Sequence, residues 1–553
     1  MRNRSACPQL PAIVATTSIV RTSLRSRGPL LIFSLAILLV MQMTAAAQTW
    51  QTLVNPPPVP EIIDPQYDYD LGPGGASNPI LLTDGSVIIQ NANPYAADGE
   101  IFKLTPDING SYLNGTWTQL ATMPYVEAAP SQAVLPNGEV LIEGGEFSGY
   151  EEFFTLTNQG AIYDPFTDVW TSVPPPPFFV DLYPPRAAFA PNPIGDAPNV
   201  VLPDGTFMIG DKMSRQAATL DLATFTWTET GTNTKSDLND EEGWTLLPSG
   251  AVLTVDCYTD YAFGLIPTYP ANPTNSEIYD PATNSWSSAG STINTLTDPY
   301  LFEMGPAVLR PDGTVFAVGS EGFTSIYTPL TKKWSVGPKL PISPQGYQYT
   351  AQDAPGALLV DGNVLFAASG GYDQPGYYSS PPVAFFEFNG KKLVSVPTIP
   401  NAANDLSGSI SLLPLPNGQV LATDNTTDVE IYTPSTSKHS ASWAPLVTQA
   451  PTSVRPGGSY TLSGIRLNGM SQASMFGDEE QNATNYPLVR ITNLKTKHVF
   501  YSRTHDHSSM AVASNAVSST HFDVPYSQEP GRSQLEVVAN GIASTPVIVN
   551  VEP

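Results

Sequence analysis

The sequence has few charged residues, and those it has are mostly acidic. Lysine and arginine number 24 against 50 aspartates and glutamates, which gives a formal net charge of −26. A chain with this balance repels the phosphates of nucleic acids and the headgroups of anionic membranes. We therefore expect no nucleic-acid partner, and we attribute most of the acidity to solubility.

Cysteine and histidine are also scarce. The two cysteines are Cys7 and Cys257, and all five histidines follow residue 438. If Cys7 is lost with a leader segment, no internal disulfide can form, and Cys257 is expected to be a small core residue. The long stretch before the first histidine offers no imidazole, which copper usually requires from a protein.

Long apolar runs are limited to the N-terminus. Residues 1–47 contain five arginines and no acid, then an apolar run from Pro29 to Met43 and the small residues Ala45–Ala47. This pattern predicts a signal peptide cleaved after Ala47, and hence a secreted, periplasmic or extracellular protein with no membrane span after cleavage. The alternative is an uncleaved N-terminal membrane anchor, although the run is short for a span.

Short apolar strands that turn at glycine are, in contrast, abundant. Asp-Gly, Asn-Gly and similar residue pairs tolerate the positive φ of a two-residue hairpin. Each such pair therefore predicts a junction between two antiparallel strands. The seven turns are Asp84-Gly85, Asn137-Gly138, Asp204-Gly205, Ser249-Gly250, Asp312-Gly313, Asp361-Gly362 and Asn417-Gly418. Their glycines recur every 45 to 67 residues, near the kelch period of about 50 residues.

A second signature follows several of these turns. It runs from an Ile-Tyr pair through a Pro-Xaa-Thr turn to tryptophan, as in residues 161–170, 277–286 and 325–334. It predicts a third strand and a fourth strand that begins near the tryptophan. Four strands in seven units predict an all-β chain whose residues 48–444 form a seven-bladed kelch-type β-propeller. An array of β-sandwiches is the alternative, but it does not explain the long period.

The two ends of the propeller carry further predictions. The segment Trp50–Pro57 resembles a fourth strand that precedes the first unit, so we expect it to join the last blade and close the ring. Trp443 is the alternative candidate for closure. Beyond residue 444 a different pattern of short strands predicts an immunoglobulin-like β-sandwich over residues 445–553.

Particular stretches resemble the galactose oxidase and glyoxal oxidase superfamily: residues 409–418 of the last unit, Phe522–Pro525, and residues 531–546. The resemblance implies a kelch propeller with a C-terminal early-set domain. It also implies a mononuclear copper at the propeller axis, bound by two tyrosines and two histidines, with a cysteine cross-linked to one tyrosine. The family's Tyr-His pair falls near Ser407, Gly408 and Ser409, and Cys257 ends a second strand instead of preceding a first one. We therefore expect neither copper nor copper-radical oxidation.

Acidic residues recur at a fixed place in the repeat. Loops before the first strands converge on one face of a propeller, and carboxylates stand there in five units: Glu127, Glu241, Glu242, Glu303, Asp353 and Asp405. Loops after the second strands add aromatic residues that suit a sugar ring: Tyr258, Tyr261, Tyr372 and Tyr377, with others near residues 150–154. Carboxylates collected at one axis require shared protons, a basic partner or a cation such as calcium. The alternative is that each carboxylate accepts hydrogen bonds from the backbone N–H groups of its own loop and has no part in ligand binding.

The resemblance also implies that a hairpin of the C-terminal domain enters the propeller channel. The matching stretch carries Tyr501, Arg503, His505 and His507, which we expect to neutralise the acids from below. His505 and His507 share one face of a strand and are also weak candidates for a metal site.

Two functions remain from the sequence. In the first, a secreted non-redox protein binds a carbohydrate or another extracellular ligand at its acidic, aromatic face. In the second, an extracellular enzyme of the superfamily uses carboxylates or a metal other than copper. We favour the first.

Overall fold

The computed structural model describes residues 48–62, 72–93, 96–146, 156–179, 193–257, 261–262, 266–267, 274–298, 302–371, 379–477 and 480–553. The proposed leader, residues 1–47, lies outside them. None of the described segments contains a helix that is both long and apolar enough to cross a bilayer.

Seven antiparallel blades of four strands each form the propeller, and the sheet of blade 6 is extended by Tyr349–Thr350 and Ser474–Met475. Blade 1 comprises Gly75–Leu81, Val87–Asn93, Ala96–Thr105 and Thr116–Gln119. Blade 2 comprises Ser131–Val134, Val140–Glu143, Gly160–Asp164 and Val169–Val173. Blade 3 comprises Asn199–Val201, Phe207–Gly210, Ala217–Asp221 and Thr226–Thr230. Blade 4 comprises Thr245–Leu246, Val252–Val255, Ser276–Asp280 and Ser285–Ser288. Blade 5 comprises Ala307–Leu309, Val315–Val318, Thr324–Thr328 and Lys333–Val336. Blade 6 comprises Gly356–Leu358, Val364–Gly370, Ser380–Phe388 and Leu393–Val396, and blade 7 comprises Ser411–Pro414, Val420–Thr423, Val429–Thr433 and Thr49–Thr52. The predicted seven-bladed propeller is confirmed.

The N-terminal strand closes the ring. Thr49–Thr52 pairs antiparallel with Val429–Thr433, so the first described strand completes the last blade. The Trp50 indole packs on Phe385 and Tyr432 and donates to the carbonyl of Pro397 (2.7 Å). The alternative closure through Trp443 is wrong, since that side chain lies against the hairpin glycine Gly362 of blade 6.

All seven predicted hairpins form between the first and second strands of their blades. Each turn glycine has a φ between 77° and 93° and donates its N–H to the carbonyl three residues earlier. The C-terminal region contacts these turns at blades 1, 2, 3 and 7 through Tyr501, Thr504, Met510 and Gly541. The turns therefore lie at one end of the ring, which we call the lower face.

The C-terminal strands form one curled antiparallel arrangement apart from a single parallel pair. They are Leu446–Gln449, Ser453–Val454, Ser459–Ile465, Leu488–Asn493, Val499–His505, Val517–Asp523, Gly531–Ala539, Ile542–Ala543 and Val547–Val551. Their inward residues build a separate apolar core that includes Leu462, Ile491, Phe522, Val537 and Val549. This arrangement is all-β and sandwich-like, and the immunoglobulin-like assignment stays a prediction.

A segment between these strands enters the propeller channel. Within residues 472–477 and 480–486, together called the channel segment, Ser474–Met475 pairs with Gly356–Leu358, the first strand of blade 6. The same segment hydrogen-bonds the first strands of blades 1, 2, 4 and 7: Tyr486 to Leu81, Asn482 to Gln132, Gln472 to Leu246, and Ser474 to Leu412. The sequence-based choice of the stretch around Tyr501–His507 as the channel hairpin is wrong.

Candidate functional site

Three carboxylates from consecutive blades meet near the propeller axis. Glu241, Glu303 and Asp353 precede the first strands of blades 4, 5 and 6, and one carboxylate oxygen of each lies within 4.8 Å of the other two. All three residues are half-buried. We call this group the axial triad; its members are three of the carboxylates that the sequence places before the first strands.

An unusual backbone conformation occurs at or next to each residue of the triad. Glu241 and Asp353 have φ values of 58° and 44°, and Phe302, directly before Glu303, has a φ of 65°. Non-glycine residues rarely adopt this left-handed region, and such residues cluster at functional sites. Ala129 holds the same conformation (φ 52°) in blade 2. The conformation therefore belongs to the blade design, and the carboxylates are what distinguish blades 4 to 6.

Shared protons stabilise the triad. Burial raises the pKa of Glu303 well above its ordinary value, and the negative charges of Asp353 and Glu241 raise it further. Burial also raises the pKa of Asp353 to about 7, partly offset by a hydrogen bond from Glu303. The raised pKa favours the protonated form of Glu303, which can then donate to a neighbouring carboxylate, as expected when carboxyl groups crowd together.

The channel segment closes the axis beneath the triad and adds a fourth acid. Gly477 approaches so closely that a Cβ there would lie 2.7 Å from the carbonyl of Met304 and 3.4 Å from Asp353 Cα. Glu480 accepts from Ser411 Oγ (3.1 Å), and burial, reinforced by the charge of Asp353, raises its pKa to about 7. Sequence reasoning missed Glu480, although the run Asp478-Glu479-Glu480 was a visible signal.

A buried lysine compensates one side of the triad. Lys212 Nζ lies 2.9 Å from Glu241 Oε1, 3.1 Å from Asp240 Oδ1 and 3.9 Å from Glu146 Oε1, and it also bonds Asp196. Burial opposes the charge of Lys212, but the four carboxylates outweigh it and place its pKa well above the usual value. One positive charge against this many acids leaves the face acidic.

A second buried lysine explains why Glu242 does not join the triad. Lys235 Nζ lies 2.8 Å from Glu242 Oε1, 2.7 Å from Asp237 Oδ1 and 3.6 Å from Glu277 Oε2, and the Lys235 and Glu242 side chains are fully buried. Glu241 meets the other two triad acids, whereas Glu242 contacts Lys235 and accepts from Thr254 Oγ1 (3.0 Å) in blade 4. Between Lys103 and Arg310 the sequence has four basic residues, and Lys212 and Lys235 are two of them. This scarcity of basic residues in an acidic stretch was the signal that could have identified the two lysines as partners of the acids.

Two other predicted acids are buried elsewhere. Glu127 is 2% exposed, interacts with Thr157, and has a pKa raised by burial to about 9. Asp405 accepts from Asn401 (3.0 Å), and burial with the neighbouring charge of Asp424 raises its pKa to about 7. Neither belongs to the axial triad, and their part in ligand binding stays a prediction.

Most of the predicted aromatic residues lie outside the described part of the chain. This holds for Tyr258, Tyr372 and Tyr377 and for the stretch around residues 150–154. Tyr261 begins a short strand, Tyr261–Ala262, that pairs with Ile266–Pro267. The aromatic contribution to this face stays a prediction.

The predicted basic residues lie on the lower face and have local partners. Arg503 pairs with Asp523 (3.1 Å) and covers the ring of Phe166, and Tyr501 packs at Gly85. His507 is buried against Tyr486 and Thr520, and burial lowers its pKa to about 3. The prediction that Arg503, His505 and His507 neutralise the axial acids is therefore wrong; Lys212 contacts the triad instead.

The donor set at the axis does not match the copper centre that the resemblance implies. Ser407–Ser409 forms a 3-10 turn in which Ser407 Oγ donates to the carbonyl of Gln352 (2.7 Å). Cys257 is buried and donates to the carbonyl of Glu241 (3.0 Å). Every histidine of the sequence lies in or just before the C-terminal strands. Oxygen ligands of this kind suit hard cations better than copper.

Comparison with known proteins gives remote similarity. A Kelch-like protein terF from Aspergillus terreus (strain NIH 2624 / FGSC A1156) is 31% identical over 98 residues, which span 18% of this chain and only 21% of that relative. No protein-family model matches the chain.

Two solved structures match the chain with low sequence identity and low TM-scores. A fungal alcohol oxidase of the AA5 family in complex with copper is 16% identical, with coverage of 88% of this chain and 86% of that one and a TM-score of 0.39. Virginiamycin B lyase from Staphylococcus aureus is 9% identical, with coverage of 70% and 99% and a TM-score of 0.42. The chain is a seven-bladed β-propeller whose blades carry kelch-like repeats.

Proposed function

We propose that this chain is an exported, non-redox binding protein whose axial face takes a carbohydrate. The observation that carries the proposal is the convergence of Glu241, Glu303 and Asp353 from three successive blades. Paired carboxyl groups that share protons can both donate to and accept from sugar hydroxyls. All three residues of the triad are half-buried.

The spacing of the carboxylates favours binding over glycan cleavage. Inverting glycosidases hold their two carboxyl groups about 6.5–9.5 Å apart and retaining ones about 5–5.5 Å apart. The triad oxygens lie within 4.8 Å of one another and share protons. Carboxyl groups that share a proton lie closer together than the two catalytic groups of an inverting glycosidase.

A glycan array tests the proposal with the full chain, the variant Glu303→Gln/Asp353→Asn, and the control Glu229→Gln on an exposed outer strand of blade 3. We expect the wild type and the control to retain the same glycans and the axial variant to lose them. Retention of those glycans by a folded axial variant, or no glycan retained by the wild type, would contradict carbohydrate binding at the triad. Calcium and a chelator are compared in parallel, because a divalent cation could replace the shared protons.

The second candidate function is an acid–base enzyme, which is favoured by the unequal protonation of Glu303 and Asp353. Groups whose pKa values are pushed apart are typical of acid–base pairs. Release of reducing ends from array-positive glycans by the wild type, but not by the axial variant, would select it. Peroxide release from primary alcohols by copper-loaded protein would contradict the non-redox assignment.

A further inference from the structure

A cluster of imidazole and carboxylate groups lies on the C-terminal strands, away from the axial triad. His505 and His521 are cross-strand partners on Val499–His505 and Val517–Asp523. Asp506 follows His505 directly, with a φ of 51°. One ligand atom from each of these three residues lies within 4.8 Å of the other two. We infer that His505, His521 and Asp506 form a binding site for a transition-metal ion such as Zn²⁺, and we call it the imidazole site.

The distances fit a tetrahedral ion. Zinc binds imidazole nitrogen and carboxylate oxygen at about 2.0–2.2 Å, so two tetrahedral ligand atoms stand about 3.3–3.5 Å apart. Asp506 Oδ2 lies 2.9 Å from His505 Nδ1 and 3.4 Å from His521 Nδ1. The two nitrogens therefore face the same oxygen, and small shifts of three partly exposed side chains would admit an ion among them.

The remaining nitrogen of His505 has the partner that metal-binding histidines usually have. His505 Nε2 lies 3.3 Å from Asp523 Oδ1, and Asp523 is held in turn by Arg503 (3.1 Å). A carboxylate on the second ring nitrogen orients the imidazole and raises its basicity as a ligand. The strand pair thus supplies two imidazoles, one carboxylate ligand and a positioning carboxylate on one face.

Exposure indicates an open site. The side chains of His521 and Asp506 are 46% and 58% exposed, whereas that of His505 is 17% exposed. Three protein ligands with a solvent-facing side leave the fourth position to water. The imidazole ligands favour zinc, nickel or copper(II) over calcium and magnesium, which prefer oxygen. The residue pair suggested by sequence was His505 with His507, but His507 is buried beside Tyr486, and the cross-strand His521 takes its place.

Zinc binding by the full chain, purified without a histidine tag, tests the inference. Equilibrium dialysis with Zn²⁺ and metal analysis should give one ion per chain that Ca²⁺ does not displace. We expect His521→Ala and Asp506→Asn each to abolish this uptake, and Asp523→Asn to weaken it about tenfold.

Matched variants separate this site from other acids and histidines. His498→Ala removes an imidazole that is paired with Glu529 (2.7 Å) and has no second histidine beside it, and it should bind zinc as the wild type does. Glu303→Gln/Asp353→Asn should also bind normally. Urea unfolding curves confirm that each variant is folded. No uptake by the wild type, uptake that survives His521→Ala, or uptake lost only in the axial variant would overturn the inference.

Discussion

At the scale of single residues, two lysines make an acidic propeller possible. Lys212 and Lys235 are both buried, and each is shared by several carboxylates contributed by neighbouring loops and blades. A buried ion pair adds little net stability by itself, but removal of one partner leaves uncompensated charge in a site of low polarity. The acidic clusters therefore depend on the charges of the two lysines to remain buried.

Replacement of Lys212 tests this dependence. Lys212→Met should lower the free energy of unfolding at pH 7.5 by about 3–5 kcal/mol, because Asp196, Asp240 and Glu241 lose their shared cation. At pH 5 the loss should shrink, since the carboxyl groups can then be protonated. Urea unfolding at the two pH values measures both effects. An equal loss at both would show that Lys212 acts through packing alone.

At the scale of elements, the C-terminal strands rest on the hairpin turns of the lower face. Gly85 and Gly313 occupy equivalent turns with φ values of 77° and 85°. A Cβ on Gly85 would lie 2.6 Å from the ring of Tyr501, whereas a Cβ on Gly313 meets nothing within 4 Å. The two glycines differ in their surroundings but hardly in their backbone.

This difference gives a paired prediction. Gly313→Ala should cost only the left-handed backbone penalty of about 1–2 kcal/mol, and Gly85→Ala should cost clearly more because Tyr501 must move. Unfolding free energies of the two variants measure the contribution of the interface. Equal losses would mean that the C-terminal strands do not press on blade 1.

The same elements show what a sequence can reveal. The hairpins were predictable because their turns are local and repeat seven times, six as Asx-Gly and one as Ser249-Gly250. The channel segment was not, because its contacts with Gly356–Leu358 and Leu246 are long-range and follow no periodicity. The positions of Glu241, Glu303 and Asp353 before the first strands could be predicted from their distance to the turn glycines. Lys212 and Glu480 could not be predicted in this way, because they lie in other loops. The pairing of His505 with His521 depends on strand register, which the sequence does not display.

At the scale of the whole molecule, many buried carboxyl groups have pKa values above those of an unfolded chain. Burial raises the pKa to about 7 in Asp353, about 8 in Glu430 and about 9 in Glu127. A raised folded-state pKa means that the folded protein holds its protons more tightly. The resulting stability is fully present below about pH 4 and is lost as pH rises through these folded-state values.

Unfolding free energy should therefore fall as pH rises from 6.5 to 8.5, by at least about 2 kcal/mol. His507, whose pKa burial lowers to about 3, opposes this trend only below pH 6.5. Glu430→Gln should be more stable than the wild type at pH 8.5, because both Glu430 oxygens are buried without partners, and the difference should shrink at pH 5. A flat or rising profile in urea titrations would contradict the protonated clusters.

The most direct test of the central claim is titration calorimetry of the full chain with the glycan that an array retains most strongly. We predict one site per chain, an affinity that Glu229→Gln leaves unchanged, and an affinity that Glu303→Gln/Asp353→Asn reduces at least about tenfold, which corresponds to 1.4 kcal/mol. An unchanged affinity in a folded axial variant would contradict the assignment of Glu241, Glu303 and Asp353 as the ligand site.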